Sequence, residues 1–152
     1  MAAIRKASTG DIPAIIEMAR DMHAESPRYR DLSFNAEKIN SLALALIRVP
    51  GAGGVLVAES ESRLVGMFAF HVGQHFFSDD TFASDVVMYV RPKHRSGSLF
   101  PRLVKAFEAW ADEYGVKEKL LGVSAEIDSP RVVAVLERLG YKSVVTGTMK
   151  GK

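Results

Sequence analysis

Residues 87–111, VMYVRPKHRSGSLFPRLVKAFEAWA, combine a strand, a short basic turn and an amphipathic helix. The first residues are apolar and mostly β-branched or aromatic, and from Leu99 onward apolar side chains recur at helical spacing. The first main-chain N–H groups of such a helix have no partner within it and favour anions. The stretch therefore predicts a phosphate-binding turn. The cationic or potentially cationic residues around the junction are Arg91, Lys93, His94, Arg95 and Arg102.

Length and charge limit the kind of protein that the sequence can encode. The 152 residues fit one domain, 1–152, which can bury roughly 70% of the surface of its unfolded chain. Lys and Arg number 20 and Asp and Glu 18, a net charge of +2. This balance is too even for a face committed to nucleic acid, so we expect no nucleic-acid partner and only a local electropositive site.

The cysteine content and the hydropathy pattern bear on the expected location. The sequence has no cysteine, so disulfides and thiolate metal sites are excluded and a reducing cytoplasm is the natural setting. The N-terminus lacks a signal pattern, and no run approaches the ~18 apolar residues that a membrane span needs. We expect a cytoplasmic protein without a membrane partner.

Hydrophobic periodicity predicts ten elements in the order β α α β β β α β α β. Capping patterns at Ser8–Asp11 and at Asn35 indicate where the first two helices begin. Runs rich in β-branched and aromatic residues indicate the strands. The expected strands lie at 2–7, 55–59, 63–72, 82–90, 119–125 and 141–150, and the expected helices at 11–24, 36–49, 99–114 and 129–139.

The order of these elements predicts the fold class. The three strands between residues 55 and 90 follow one another directly, which favours antiparallel pairing. The apolar strand at 119–125 follows a helix and is expected to run parallel to its neighbour. We therefore predict an α+β fold whose mixed, mostly antiparallel central sheet is flanked by about four helices. Only about twelve residues follow Gly140, so the C-terminal strand region is expected to be abbreviated.

Two segments resemble the Gcn5-related N-acetyltransferase (GNAT) superfamily. VMYVRPKHRSGSLF is similar to the strand of that family that ends in V-x-P and is followed by R-x-x-G-x-G or R-x-x-G-x-A. DSPRVVAVLERLGYKSV is similar to its N-x-x-A…L-Y-x-x-x-G-F segment, with Leu139–Tyr141 matching the end. The element order resembles the family over nearly the whole chain. The resemblance implies direct transfer of an acetyl group from acetyl-coenzyme A to a primary amine of an acceptor.

The same resemblance implies where coenzyme A binds. The end of the strand would bind pantetheine and the acetyl carbonyl through its main chain, and the turn after it would bind the pyrophosphate. Small residues in that turn let the ligand approach the N–H groups and the positive end of the helix. Asp128 or Ser129 stands where the family has asparagine. The predicted cofactor residues are Met88, Tyr89, Val90, Arg95, Ser96, Gly97, Ser98, Leu99, Phe100, Asp128 and Ser129.

The sequence departs from the family pattern at several positions. Ser98 stands where the family prefers glycine, and Phe100 where it prefers glycine or alanine. The frequent tyrosine general acid would fall at Val135 or Leu136, neither of which can donate a proton. The leaving thiolate would then be protonated by water or another group. These departures keep open a non-catalytic acyl-coenzyme A-binding or interaction module that retains the fold.

Asp85 is the candidate general base. It precedes the predicted acetyl site within FASDVVMYV, where apolar surroundings would raise its pKa. Ser84 and a bound water are competitors, and a hydrogen-bonded or exposed structural aspartate is the alternative. A general base contributes about 10²–10⁴-fold, whereas positioning of the reactants can supply about 7–11 kcal/mol, so the missing tyrosine does not preclude catalysis.

Three histidines, the segment between the first two helices and the short C-terminal region bear on the acceptor side of the site. His71 and His75 lack a third ligand and a helical Glu, so no metal site is predicted. One of them is a candidate for the acceptor pocket, and a surface or hydrogen-bonded structural histidine is the alternative. His94 is expected near the phosphates. The resemblance implies that residues 23–34, HAESPRYRDLSF, build the acceptor side. Because the C-terminal region is short, the acceptor cleft would be open or completed by a second subunit, which predicts a homodimer.

Overall fold

The elements form one central sheet with helices on both faces. A computed structural model describes residues 1–144 and 147–151. The strands are β1 (Ala3–Lys6), β2 (Gly53–Ser60), β3 (Arg63–Gln74), β4 (Thr81–Val90) and β5 (Glu118–Leu120). The helices are α1 (Ile12–Glu25), α2 (Ala36–Arg48), α3 (Leu99–Glu113) and α4 (Ser129–Arg138), and short 3₁₀ turns lie at Thr9–Asp11 and Pro92–His94.

The strands lie in the sheet in chain order, β1-β2-β3-β4-β5. The pairs β1-β2, β2-β3 and β3-β4 are antiparallel, whereas β5 is parallel to β4. The parallel pair results from the α3 crossover, because a helix between two strands returns the chain to the same end of the sheet. The predicted α+β class, with a mixed, mostly antiparallel sheet and four helices, is confirmed.

The strand β3 supplies both apolar layers of the core. Since successive side chains of a strand point to opposite faces, Phe68 and Phe70 pack against α3 while Met67 faces α1 and α2. Phe70 lies 4.8 Å from Trp110 between ring centroids, in an edge-to-face arrangement. Phe107 of α3 is fully buried beside them. Both faces of the sheet are therefore covered by packed helices.

The predicted helix boundaries agree with the caps that the structure contains. Asn35 Oδ1 accepts a hydrogen bond from Lys38 N at 3.2 Å at the start of α2. Asp11 Oδ2 accepts from Ser8 N at 2.7 Å before α1, and hydrogen bonds from the Arg5 guanidinium lower the pKa of Asp11 to about 2. Gly140, just beyond α4, has φ +95°, the conformation expected of a helix-terminating glycine.

Two strand predictions require correction. The strand predicted at 119–125 ends at Leu120, because β5 pairs with β4 only from Phe82 to Ser84 and the chain then turns away. The closing strand predicted at 141–150 is wrong for the described residues 141–144 and 147–150, which carry no strand, whereas residues 145–146 lie outside the described part. A strand needs a partner, and local β-propensity cannot supply one.

Within residues 1–144 and 147–151, no helix combines the length and the apolar character that a membrane crossing requires.

Candidate active site

The candidate site begins where β4 and β5 part. Asp85 Oδ1 accepts a hydrogen bond from Gly122 N at 2.9 Å just beyond the last paired residues of the two strands. Past this contact, no residue of β5 pairs with residues 86–90 of β4 in the part of the chain that the structure describes. The gap opens into a cleft of about 350 Å³ between β4, α3 and α4. The cleft exposes one edge of β4, whereas the other edge of β4 is paired with β3.

A register shift in β4 accompanies this opening. Ala69 of β3 pairs with Val87, but the next residue, Phe70, pairs with Asp85. Val86 is therefore the extra residue of a β-bulge, which bends the strand where pairing with β5 ends. Bulges commonly terminate pairing beside functional sites.

The turn between β4 and α3 forms one end of the cleft. Ser96, Gly97 and Phe100 line it, as does Arg95. A Cβ atom built on Gly97 would meet no atom within 4 Å, so the space over this residue is open. The turn thus offers main-chain groups that a ligand can approach closely, followed directly by the positive end of α3.

The structure brings most of the predicted cofactor residues together. Leu99 has its side chain in the core at 5% exposure, and Ser98 caps α3 without a side-chain hydrogen bond. Ser129 begins α4 outside the cleft, whereas the preceding Asp128 lines it with φ +53°. The predicted residues that line the cleft are Met88, Tyr89, Val90, Arg95, Ser96, Gly97, Phe100 and Asp128, and those that do not are Ser98, Leu99 and Ser129.

The five cations around the junction do not act as one group. Arg91 bonds Asp21 and Glu17 of α1, each at 2.9 Å, and Arg102 donates to the Ala2 carbonyl at 2.7 Å. The remaining three are Lys93, His94 and Arg95. The structure describes all five residues, and Arg95 alone among them lines the cleft. Acidic and carbonyl partners distant in sequence therefore hold Arg91 and Arg102 outside the cleft lining.

Arg95 is itself held by a carboxylate. Its guanidinium forms a bidentate ion pair with Glu25 of α1, with Nη2 at 2.7 Å from Oε2, and its Nε donates to the Val90 carbonyl at 2.7 Å. This pairing lowers the pKa of Glu25 and raises that of Arg95. Arg95 also lies over the Tyr89 ring at 5.3 Å. Its charge is thus largely compensated within the protein, so an anion in the cleft would depend more on other groups.

Arg131 of α4 is a cation that the sequence analysis missed. It lines the cleft opposite the turn, and its Nη2 donates to the Arg95 carbonyl at 2.9 Å. Its nearest carboxylate, Asp128, is 3.7 Å away, a long ion pair between half-exposed groups. The sequence carries no local signal for this placement, because only the packing of α4 brings the side chain to the cleft. Arg131 is the better placed partner for an anion at this end of the cleft.

Asp85 lies at the other end of the cleft, where the strands part. Burial raises the pKa of its carboxyl group, opposed in part by the hydrogen bond from Gly122 N. The competitor Ser84 lies outside the cleft lining. So do His71 and His75, and His75 Nε2 is 2.7 Å from a Glu118 carboxylate oxygen. Among the described residues, no three His, Cys, Asp or Glu side chains lie close enough together to bind a metal ion.

Val135 and Leu136, which stand where a tyrosine acid would fall, both line the cleft. They present apolar surface there and no hydroxyl group. The tyrosines of the lining are Tyr29 and Tyr89, and burial raises the pKa of Tyr89, whose hydroxyl donates to Glu25 Oε2 at 3.3 Å. Other lining residues that the sequence analysis did not place here are Met22, Val86, Val87, Pro101, Leu121, Gly122, Val123, Ser124, Ala125, Ile127, Val132 and Arg138.

The segment after α1 is fastened to the segment after β5. Ser26 is fully buried, and its Oγ donates to the Ala125 carbonyl at 2.6 Å and accepts from Tyr29 N at 3.1 Å. Arg28 Nη1 donates to the Ser124 carbonyl at 3.1 Å. These contacts place residues 26–29, part of the predicted acceptor region, across the cleft from β4.

Comparison with known proteins agrees with this architecture. The model of the acetyltransferase (GNAT) family matches residues 14–141. No curated protein matches the sequence.

Solved structures share the fold at low sequence identity. A transcriptional regulator from Bacillus halodurans is 17% identical with a TM-score of 0.79, and all of each chain is covered. A ribosomal-protein-alanine N-acetyltransferase from Brucella melitensis is 14% identical with a TM-score of 0.74, covering 100% of this chain and 99% of the other. AAC(6')-Iy bound to a coenzyme A bisubstrate analogue is 12% identical with a TM-score of 0.77, covering 100% and 98%. At these identities the likeness shows the fold alone.

Proposed function

We propose that this chain, which belongs to the acetyltransferase (GNAT) family, transfers an acetyl group from acetyl-coenzyme A to a primary amine. The amine attacks the thioester carbonyl directly, so that a C–N bond forms and the C–S bond breaks. The nitrogen loses a proton, and the leaving thiolate gains one. The parting of β4 from β5 is the observation that carries this proposal, since it leaves a strand edge open beside an anion-favouring turn.

The proposal assigns the two ends of the cleft different tasks. N–H groups at Ser96 and Gly97, together with Arg131, would bind the diphosphate of coenzyme A. The open edge of β4 at Met88–Val90 would bind the pantetheine and the acetyl carbonyl through main-chain hydrogen bonds. The thioester would then lie near Asp85, which we propose as the base that removes the proton from the amine. Water is the proposed proton donor to the thiolate, since Val135 and Leu136 offer none.

Acetyl-coenzyme A is expected to stabilise the protein against thermal unfolding. At ~100 times its dissociation constant, a ligand that binds only the folded state adds about 2.7 kcal/mol to the free energy of unfolding. For a chain of this size, that raises the midpoint by roughly 5–10 °C. Thermal unfolding with and without the ligand measures the shift. Thiol release in the presence of amines measures transfer, and absence of both would contradict the proposal.

The second candidate is a module that binds acyl-coenzyme A without transferring the acyl group. The apolar Val135 and Leu136 favour it, because no protein hydroxyl occupies that part of the lining. Stabilisation by acetyl-coenzyme A without thiol release over a broad range of amines would support this second candidate.

The quaternary structure and cellular location remain predictions. In the described residues, β5 has no strand on its outer side, and an open edge can pair with another chain. We propose a homodimer on this basis, to be checked by light scattering during size-exclusion chromatography. We also propose that the protein acts in the cytoplasm, as expected from its composition.

A further inference from the structure

The Arg95 side chain is held in place by several contacts at once. Its Nη1 and Nη2 atoms donate to the two carboxylate oxygens of Glu25, and its Nε donates to the Val90 carbonyl at 2.7 Å. Its guanidinium also lies 5.3 Å from the centre of the Tyr89 ring. The Arg95 and Glu25 side chains are 24% and 32% exposed, so the pair is partly shielded from water. Together these contacts direct the guanidinium toward the end of α1.

Glu25 supplies the charge that neutralises Arg95. The hydrogen bonds from Arg95 lower the pKa of Glu25, so its carboxylate is ionised at neutral pH and the pair carries no net charge. Its other side-chain contact in the described part of the chain is the Tyr89 hydroxyl, at 3.3 Å. Arg95 and Tyr89 line the cleft, whereas Glu25 lies outside the lining. Glu25 can therefore influence a ligand in the cleft mainly through Arg95.

Arg95 occupies a position where an unpaired arginine would bind a diphosphate. It directly precedes Ser96 and Gly97, whose N–H groups we propose as ligands of the diphosphate. A guanidinium binds phosphate oxygens through two parallel hydrogen bonds, the same geometry that it uses with a carboxylate. In the structure, Glu25 occupies these donors. The turn therefore contains a cation whose charge is not available to the cleft.

We propose that Glu25 is a positioning residue that keeps the charge of Arg95 from the diphosphate and thereby limits the affinity for both acetyl-coenzyme A and coenzyme A. The inference rests on the proposed function and adds a determinant of its cofactor affinity. Substrate and product carry the same diphosphate, so Glu25 weakens the binding of both equally. Such an effect favours product release and leaves the chemical step unchanged.

A double-mutant cycle tests the inference by isothermal titration calorimetry with coenzyme A. Glu25→Gln keeps an oxygen that can accept hydrogen bonds but removes the charge, and we expect it to bind about fivefold more tightly, the effect of one partly exposed charge. Arg95→Gln leaves the Glu25 carboxylate unpaired and is expected to bind about fivefold more weakly. The double variant loses both charges together and should bind within about twofold of the unchanged protein.

The double variant distinguishes the inference from a direct contact between Arg95 and the diphosphate. If Arg95 already bound the diphosphate in the unchanged protein, its loss would weaken binding whether or not Glu25 is present. A double variant that binds fivefold or more weakly than the unchanged protein would therefore overturn the inference. An unchanged or weaker affinity of Glu25→Gln would do the same. Thermal unfolding of each variant verifies that it is folded.

A second acid of α1 and a shorter ligand provide the controls. Asp21→Asn removes a carboxylate from the same helix, but Asp21 pairs with Arg91 at 2.9 Å and neither residue lines the cleft. We expect its affinity for coenzyme A to stay within about twofold. Pantetheine lacks the diphosphate, so Glu25→Gln should leave its affinity, measured by competition with coenzyme A, unchanged. Tightening of equal size in either control would contradict the inference.

Steady-state kinetics separates this role from a merely structural one. We expect KM of Glu25→Gln for acetyl-coenzyme A to fall about fivefold while kcat does not rise, because the binding of substrate and transition state changes equally. A structural defect would raise KM instead. Absence of coenzyme A binding to the unchanged protein would contradict the proposed function itself. Binding with equal affinity by all four proteins of the cycle would overturn only the role of Glu25.

Discussion

Replacing Gly97 with aspartate is expected to weaken coenzyme A binding by at least about 100-fold while the free protein remains as stable as before. The new carboxylate would lie beside the proposed diphosphate. Like charges ~4 Å apart repel by about 4 kcal/mol at an effective dielectric constant near 20, and solvent reduces this to the 2–3 kcal/mol that corresponds to 100-fold. Isothermal titration calorimetry measures the change in dissociation constant.

The folded structure tolerates a side chain at this position. A Cβ on Gly97 meets nothing within 4 Å, and the φ of this glycine lies outside the left-handed region. Gly97→Ala is therefore a matched control that adds the Cβ without the charge, and we expect it to bind coenzyme A within a few-fold of the unchanged protein. The penalty of the aspartate should decrease at high salt. Equal affinities of Gly97→Asp and Gly97→Ala would show that no diphosphate lies at this turn.

The parts of the fold that the sequence predicted well are those specified by local patterns. The cap at Asn35 and the helical spacing from Leu99 onward are encoded within a few residues of each other. The length of β5 depends instead on where β4 bends away, and the bulge at Val86 appears only when β4 is paired with β3. The strand predicted at 141–150 was wrong for the described residues for the same reason, since strand pairing requires two segments and cannot be read from one.

The candidate site shows the same division between local and distant effects. The family motif located the turn at Ser96 and Gly97, because the spacing of that motif is itself local. The positions of the Arg91 and Arg102 guanidinium groups depend on hydrogen-bond partners 70 and 100 residues away in sequence. Arg131 was missed because only the packing of α4 against the turn brings it to the cleft. The charged residues can be counted in the sequence, but the partners that each charged side chain contacts are set by the tertiary structure.

Replacing Asp85 with asparagine is expected to lower kcat about 100-fold, within the range for loss of a general base, and to remove the acidic limb of the pH–rate profile. The asparagine keeps an oxygen that can accept the Gly122 N–H bond, so the geometry where the strands part is retained. Steady-state kinetics from pH 5 to 9 measures both effects. Ser84→Ala, at a neighbouring position outside the cleft lining, is the control and should leave the profile unchanged.

The stability of the same variant distinguishes a base from a structural aspartate. Burial holds the pKa of Asp85 above its value in the unfolded chain, so stability is highest below the unfolded pKa and is lost as the pH rises through the folded pKa. At neutral pH the ionised carboxylate therefore costs stability that asparagine does not. We expect Asp85→Asn to unfold at a higher temperature than the unchanged protein at pH 7 and to lose this advantage below about pH 4. A lower unfolding midpoint of Asp85→Asn at pH 7 would mean that the carboxylate charge stabilises the fold. If kcat of this variant were also unchanged, Asp85 would have no role in proton transfer.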